Sequence, residues 1–166
     1  MEVEGVHSAY ICPNRFNGFI KTGATKLLVD FLTFCTIVKK VSQKKNLEVQ
    51  AGKIGGVKFY RTYLRYGLPD YTAAILEEKE NISSYLLQDG QTDFRMDFIM
   101  DVEKRSFPAA LSSIIGKYVR ELFMESIRRT LGIKEDISGY YDRKTTKLLD
   151  SLNTDRFPST CLFRLK

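Results

Sequence analysis

The feature that most constrains the fold of this chain is a long apolar repeat running from Pro108 to about Leu131. Its apolar residues recur every three or four positions, which is the spacing of an amphipathic helix with one face against a core. Gly132 follows immediately and is a typical C-terminal stop. The repeat therefore predicts the strongest helix of the chain. We expect its buried face to consist of Leu111, Ile114, Ile115, Tyr118, Val119, Leu122, Phe123, Ser126 and Ile127.

The rest of the chain alternates between helix and strand signals. A second amphipathic repeat predicts a helix from Thr22 to about Val41, after a loop at residues 13–20. Asp89-Gly90 is a hairpin signal between two expected strands. This order of elements favours an α/β fold with a mixed sheet. The other expected elements are a strand at Leu47–Val49, a short helix at 57–67, strands at Tyr71–Leu76, Ser83–Leu87 and Asp93–Val102, and a short helix at Arg143–Leu152.

Length and composition indicate one globular domain. The chain has 166 residues, of which 43% are apolar and 28% are charged, close to the average for soluble proteins. A chain of this length buries roughly 70% of its unfolded surface. We expect a single domain over residues 1–152 and a tail over 153–166. The net charge of +6 divides into +3 for residues 1–50, −1 for 51–100 and +4 for 101–166, which mildly favours phosphate-rich partners.

The composition excludes several kinds of site. Cys12, Cys35 and Cys161 form no CxxC pair and His7 is the only histidine, so neither a zinc motif nor Ser/His or Cys/His catalysis is expected. The scattered cysteines favour a reduced, cytoplasmic setting. No apolar run reaches ~18 residues and the N-terminus lacks a signal-peptide pattern, so we expect no membrane partner. Carboxylate-and-metal chemistry is what remains open.

Three local patterns each allow two interpretations. Residues 52–56 (GKIGG) have the glycine content of a phosphate-binding loop but neither the GxxxxGK[ST] nor the GxGxxG spacing, so a tight strand-to-helix turn is favoured. Residues 57–67 (VKFYRTYLRYG) interleave basic and aromatic side chains, which either grip a nucleic-acid backbone or form an ordinary amphipathic surface. Four lysines suit the C-terminal pole of the 22–41 helix and are alternatively a nucleic-acid patch: Lys39, Lys40, Lys44 and Lys45.

Two motifs in the second half of the chain stand at a characteristic separation. The long helix carries Ser112–Lys117 (SSIIGK) and then the pair Arg120-Glu121, and about twenty residues later comes Ser138-Gly139-Tyr140, followed by Asp142 and Thr145. This combination resembles prokaryotic ribonuclease HII, in which A-S-I-[IL]-A-K begins a helix, an R-[DE] pair follows, and an S-G-Y turn comes after the helix. The resemblance covers about residues 95–150 and extends more loosely over 13–66.

The resemblance implies a ribonuclease H-like mixed sheet flanked by helices, and hydrolysis of RNA in RNA–DNA hybrids with two divalent metals, Mg²⁺ or Mn²⁺. In that family the metals are held by an N-terminal D-E-x-G-R-G strand, a central-strand acid and an Asp before the long helix. Here D-E-x-G-R-G is absent and Gly52 stands at the central-strand position. The last acid corresponds to Glu103, with Asp101 as a rival, so these two are the candidate catalytic and metal-binding residues. If the strand stays extended, Asp97 shares their side.

The resemblance also implies residues for nucleic-acid binding. Tyr140 matches the family tyrosine that packs on a nucleotide sugar. Ser113 and Lys117 match the positions at the helix start near the scissile phosphates, and the N-terminus of a helix is a natural anion site. Each of the three also has an ordinary structural interpretation. Ser113 is then a hydroxyl bonded to the preceding turn, Lys117 a surface lysine and Tyr140 an aromatic residue packed in its turn.

Two origins fit these departures from the family. The chain is either the C-terminal part of a nuclease, with a sheet incomplete at its N-terminal strands, or a relative that kept the scaffold and lost the chemistry. The leading hypothesis is a domain that binds RNA–DNA hybrids with impaired catalysis, with Mg²⁺ or Mn²⁺ as cofactor only if it is active. The alternative is a non-catalytic scaffold or subunit with a protein partner or second copy at an open sheet edge. A third hypothesis is a small phosphate ligand at residues 52–56.

Overall fold

The computed structural model describes residues 3–44 and 46–134, together with Lys147 and Arg164. Over these residues the chain forms four α-helices and four β-strands. In chain order they are α1 (Pro13–Lys21), α2 (Lys26–Val41), β1 (Glu48–Gly52), α3 (Arg61–Gly67), β2 (Thr72–Glu78), β3 (Ile82–Gln88), β4 (Asp93–Ile99), a short 3₁₀ helix (Val102–Lys104) and α4 (Phe107–Leu131).

The strands form one mixed sheet in the order β1-β4-β3-β2. β1 runs parallel to β4, whereas β3 pairs antiparallel with both β4 and β2. The predicted turn joins β3 to β4, and Asp89 Oδ1 accepts hydrogen bonds from the backbone N–H groups of Gln91 (2.8 Å) and Thr92 (2.7 Å). The predicted α/β architecture with a mixed sheet is therefore confirmed, and β1 and β2 are the edge strands of this sheet.

The core lies between one face of the sheet and helices α2 and α3. Phe31 of α2, Tyr60 just before α3 and Phe98 of β4 meet there, and the rings of Tyr60 and Phe98 stack with their centroids 3.9 Å apart. Such ring pairs contribute about 0.5–1.5 kcal/mol beyond the burial of their area. The remaining buried members of this core are Cys35, Val38, Leu64, Leu68, Tyr71, Tyr85, Leu87, Phe94 and Met96.

Hydrogen bonds fix the segment between β1 and α3 to the sheet. The backbone N–H of Tyr60 donates to Tyr85 Oη (2.7 Å), and the Tyr85 hydroxyl donates to Glu78. Tyr60 Oη accepts a further bond from the N–H of Ile54 (2.9 Å). Because Tyr60 and Tyr85 are fully buried, their polar groups need partners within the protein. The network therefore holds this segment in one conformation.

The first helix boundary differs from the sequence prediction. Residues 13–20 form α1 instead of a loop, because Pro13 occupies the first turn, where its fixed φ favours a helix. The next helix, α2, begins at Lys26 and not at residue 22. Gly23 has a φ of +89°, which no α-helix accommodates, and the side chain of Thr25 then caps α2.

The existence of α4 is confirmed, but the predicted burial of its apolar face is wrong. No residue of α4 is buried, and Ile114 remains 64% exposed. The helix-covered face of the sheet is already filled by α2 and α3, and α4 contacts chiefly the 3₁₀ helix and β1. Of the nine residues expected to be buried, Ile114, Tyr118, Leu122, Phe123 and Ser126 are exposed and Leu111, Ile115, Val119 and Ile127 are half-buried.

Three predictions fall on residues outside the described ranges. These are the tyrosine of the S-G-Y turn, Tyr140, and, apart from Lys147 and Arg164, the short helix at Arg143–Leu152 and the tail at 153–166. The domain boundary at residue 152 therefore stays a prediction.

Candidate functional site

The two candidate catalytic acids lie in the connection from β4 to α4. β4 ends at Ile99, and Asp101 adopts a left-handed backbone conformation with a φ of 52°. The Lys104 ammonium lies 2.7 Å from Asp101 Oδ2, and this hydrogen bond and charge hold the pKa of the Asp101 carboxyl below its usual range. Glu103 lies in the 3₁₀ helix with its side chain exposed. Asp101 is thus an ion-paired carboxylate at the surface.

The expectation that Asp97 shares one side of a strand with these acids is wrong. Strand alternation holds only while the backbone stays extended, and β4 ends before Asp101. Asp97 lies within β4 and is only 3% exposed. Both of its carboxylate oxygens accept hydrogen bonds from Arg95 Nε, at 2.9 and 3.0 Å. Asp97 is therefore committed to a partner in its own strand.

The acids present do not fit a two-metal hydrolytic site. Two divalent metals need several converging carboxylates. Asp101 and Glu103 supply only two, and Asp97 of β4 is buried and bonded to Arg95. Within residues 3–44 and 46–134 there is no group of three or more acidic, histidine or cysteine side chains arranged to hold a metal ion. We derive no catalytic step through Mg²⁺ or Mn²⁺ at these residues.

Ser113 and Lys117 lie within α4 and not at its start. The helix begins at Phe107, and Ser106 is its N-cap, whose Oγ accepts a hydrogen bond from the backbone N–H of Ala109 (3.5 Å). Ser113 is therefore almost two turns from the N-terminus, too far to use the free N–H groups there as an anion site. Both side chains are exposed, and their separation of four residues puts them on one face of the helix.

The surface around Ser113 and Lys117 is open to solvent. Ser112, just before Ser113, and Gly116, just before Lys117, are both exposed, and nothing lies within 4 Å of the position that a Cβ on Gly116 would occupy. Arg120 continues the same face and pairs with Glu121. A partner backbone can therefore approach this part of the helix closely, with hydroxyl groups and an ammonium group beside it.

Helix α3 presents a second exposed surface. The helix covers Arg61–Gly67, a shorter span than the predicted 57–67, and the three interleaved tyrosines differ in their surroundings. Tyr60 is in the core and Tyr63 is half-buried against Phe31, whereas Tyr66 is 69% exposed. The sequence pattern singled out the segment but not the exposed rings. It also missed Phe59, which is 58% exposed.

The glycine-rich residues 52–56 form a structural turn, as the favoured interpretation predicts. Gly55 has a φ of +61°, a conformation that favours glycine, and a Cβ there would lie 2.5 Å from the Leu27 side chain, which would have to shift. The Lys53 ammonium donates to the Lys79 carbonyl (2.9 Å) and to Ser83 Oγ (3.3 Å). Burial and the nearby charge of Lys58 lower the pKa of Lys53. Lys53 therefore holds the turn to the sheet, instead of pointing toward a bound phosphate.

No protein family, curated protein or solved structure matches this chain. The resemblance to ribonuclease HII therefore rests on the motifs in the sequence alone. No helix in the described part of the chain combines the length and the apolar character needed to cross a bilayer.

Proposed function

We propose that this chain is a ribonuclease HII-like domain that binds RNA–DNA hybrids through α4 without hydrolysing them. The proposal includes the ribonuclease H-like fold and the cytoplasmic setting that the sequence predicts. The observation that carries it is the joint exposure of Ser113 and Lys117 on one face of α4, beside the open surface at Gly116. These are the positions at which the sequence resembles the family's phosphate-contacting helix.

The chemistry of this face suits a sugar–phosphate backbone. Phosphate contacts come mainly from lysine, arginine and serine side chains, and they fix position without reading sequence. Ser113 can donate from its hydroxyl and Lys117 from its ammonium. Gly116 between them leaves room for the backbone of a duplex. Each neutralised phosphate releases counterions, so binding should weaken steeply as salt rises.

The absence of hydrolysis follows from the acids at the end of β4. Asp101 and Glu103 are the only two carboxylates of this connection, and Asp97 of β4 is bonded to Arg95. We therefore expect no cleavage when the protein is incubated with Mn²⁺ and a hybrid that contains a single ribonucleotide. Cleavage that disappears in Asp101→Asn and Glu103→Gln would contradict this part of the proposal.

Hybrid binding can be measured by fluorescence anisotropy with a labelled RNA–DNA duplex at 50 and 200 mM salt. Gly116→Gln places a side chain on the open surface at no steric cost to the fold, so it should block binding while urea denaturation shows an intact protein. Lys117→Gln should weaken binding several-fold and lower the salt slope by about 0.7–0.9. Lys26→Gln, an exposed lysine of α2, is the charge-matched control. Unchanged binding in both α4 variants would refute the proposal.

A second candidate function is a protein-interaction scaffold. A neighbouring face of α4 exposes Phe107, Ile114, Tyr118 and Leu122, which recur at helical spacing. An exposed apolar stripe of this kind is typical of an interaction surface. Under this candidate Ile114→Glu, which is too exposed to affect folding, converts an associating protein into a monomer in sedimentation velocity. Wild-type protein that stays monomeric at all concentrations and captures no partner through this stripe would exclude it.

A further inference from the structure

The segment from Lys53 to Leu68 carries positive charge only. It contains four basic residues and no acidic one: Lys53, Lys58, Arg61 and Arg65. Lys58 lies 3.6 Å from Glu80, an exposed ion pair that contributes little. Neither Arg61 nor Arg65 has a salt-bridge partner among the described residues. Their guanidinium groups are therefore free for an anionic ligand.

The same segment exposes two aromatic rings. Phe59 is 58% exposed and Tyr66 is 69% exposed, and no other ring of the described residues stacks on either. On α3 the exposed positions are Arg61, Thr62, Arg65 and Tyr66, which follow the i, i+1, i+4, i+5 pattern of one helix face. The basic side chains and the exposed ring of Tyr66 therefore share a single surface of α3, and Phe59 is exposed two residues before the helix begins.

Phe59 is held outward by its neighbours. The carbonyl of Lys58 accepts a hydrogen bond from Ser83 Oγ, and the N–H of Tyr60 donates to Tyr85 Oη (2.7 Å). The backbone on each side of Phe59 is thus tied to β3. Because the backbone is fixed and a phenylalanine side chain has only two rotatable bonds, little conformational entropy is lost when a ligand stacks on this ring. We call the exposed Phe59 ring and the exposed face of α3 (Arg61, Thr62, Arg65 and Tyr66) the α3 platform.

We infer that the α3 platform binds single-stranded nucleic acid, with bases stacked on Phe59 and Tyr66 and phosphates on Arg61 and Arg65. Aromatic rings that accept unpaired bases, combined with a positively charged surface, are the recurring elements of sequence-tolerant single-strand binding. A duplex keeps its bases stacked on each other and cannot use the rings in this way. This inference goes beyond hybrid binding by α4 and does not depend on it.

The test uses the full chain and two labelled probes, oligo(dT) and oligo(U) of 12 nucleotides, at 50 mM salt. Phe59→Ala and Tyr66→Ala should each weaken binding of at least one probe by about 5- to 100-fold, the range found for loss of one stacked base. Arg61→Gln and Arg65→Gln should each lower the salt slope by about 0.7. Tyr66→Phe keeps the ring and should bind like the wild type. Phe19→Ala, at an exposed ring of α1, is the matched control.

Binding of one probe or of both supports the inference if it depends on Phe59 and Tyr66, and a preference between the probes tells DNA from RNA. Absence of binding to both probes overturns it, as does binding that the two alanine variants leave unchanged. Gly116→Gln should leave single-strand binding intact. If Gly116→Gln loses hybrid binding and Phe59→Ala keeps it, the two surfaces act separately. Either proposal can then fail without the other. Urea midpoints near the wild-type value exclude unfolding as the cause.

Discussion

The hydroxyl of Tyr85 offers the sharpest test of how the segment before α3 is held. Tyr85→Phe removes one oxygen atom from a fully buried side chain and leaves the ring in place. In the wild type that oxygen accepts a hydrogen bond from the Tyr60 N–H and donates one to Glu78. The substitution therefore leaves a buried donor without its acceptor and a carboxylate without its donor, while packing hardly changes.

The expected cost follows from these two losses. A typical hydrogen bond contributes a net ~1 kcal/mol, and a buried polar group left unpaired costs about 1–3 kcal/mol. We therefore expect Tyr85→Phe to lower the free energy of unfolding by about 2–3 kcal/mol. For a domain of this size the change corresponds to a decrease in Tm of roughly 4–12 °C. The urea midpoint should fall while the m-value stays unchanged.

Tyr66→Phe is the matched control, because the Tyr66 ring is exposed and its substitution should change the free energy of unfolding by less than about 0.5 kcal/mol. Equal, small effects in the two variants would refute the assignment of the buried network. Alkaline pH gives a second readout. Burial and the bond to Glu78 raise the pKa of Tyr85, so above pH ~10 the unfolded chain loses this proton first and stability falls. Tyr85→Phe should remove the part of that fall that comes from Tyr85. The smaller contribution of Tyr60 should remain, because burial also raises the pKa of Tyr60.

Three further predictions concern packing, capping and thiol reactivity. Gly67→Ala should lower the free energy of unfolding by about 1–3 kcal/mol in urea denaturation, because a Cβ there would lie 2.4 Å from Cys35 Sγ. Gly18→Ala, where nothing lies within 4 Å of the new Cβ, should instead stabilise α1 by about 0.5–1 kcal/mol. Equal effects of the two substitutions would contradict the packing around Gly67. Thr25→Ala should lower stability by about 1 kcal/mol, because the Thr25 hydroxyl accepts a backbone hydrogen bond (3.2 Å) at the start of α2, and Thr25→Ser should retain most of it. Burial raises the pKa of Cys35 to about 12. A thiol reagent at pH 8 should therefore label the peptide that contains the exposed Cys12 far faster than the peptide that contains Cys35. Similar labelling rates of the two peptides would show that Cys35 is accessible.

Periodicity predicted α2, α4 and the four strands because local patterning determines helix and strand, whereas residues 13–20, expected to be a loop, form α1. The strands and α2 occur where their repeats stand, and the Asp89-Gly90 turn joins β3 to β4 as expected. What the sequence could not predict is which face a helix buries. The stripe of α4 has the spacing of a core face, yet the sheet face was already occupied by α2 and α3. Periodicity reports amphipathic character, whereas burial depends on how many elements compete for one surface.

In the candidate site, too, the sequence predicted the elements but not how the backbone runs at their ends. Reading Asp97, Asp101 and Glu103 as one acidic side required an extended backbone, and the left-handed turn at Asp101 removes that condition. Ser113 and Lys117 were correctly expected on a helix, but the N-cap at Ser106 puts the start of that helix earlier than the motif suggested. Both errors come from backbone geometry at the ends of elements, which residue spacing does not encode.

The irregularity in β2 bears on how this protein behaves when concentrated. Ile75 pairs with Tyr85 and Glu77 with Ser84, so Leu76 is an extra residue in the ladder and β2 carries a bulge. A flat edge strand of seven residues would template the growth of fibrils, whereas a bulge twists the strand and interrupts the row of free amide groups. Leu76, whose side chain is exposed, lies at the bulge, so this apolar residue stands where pairing with a further strand is interrupted.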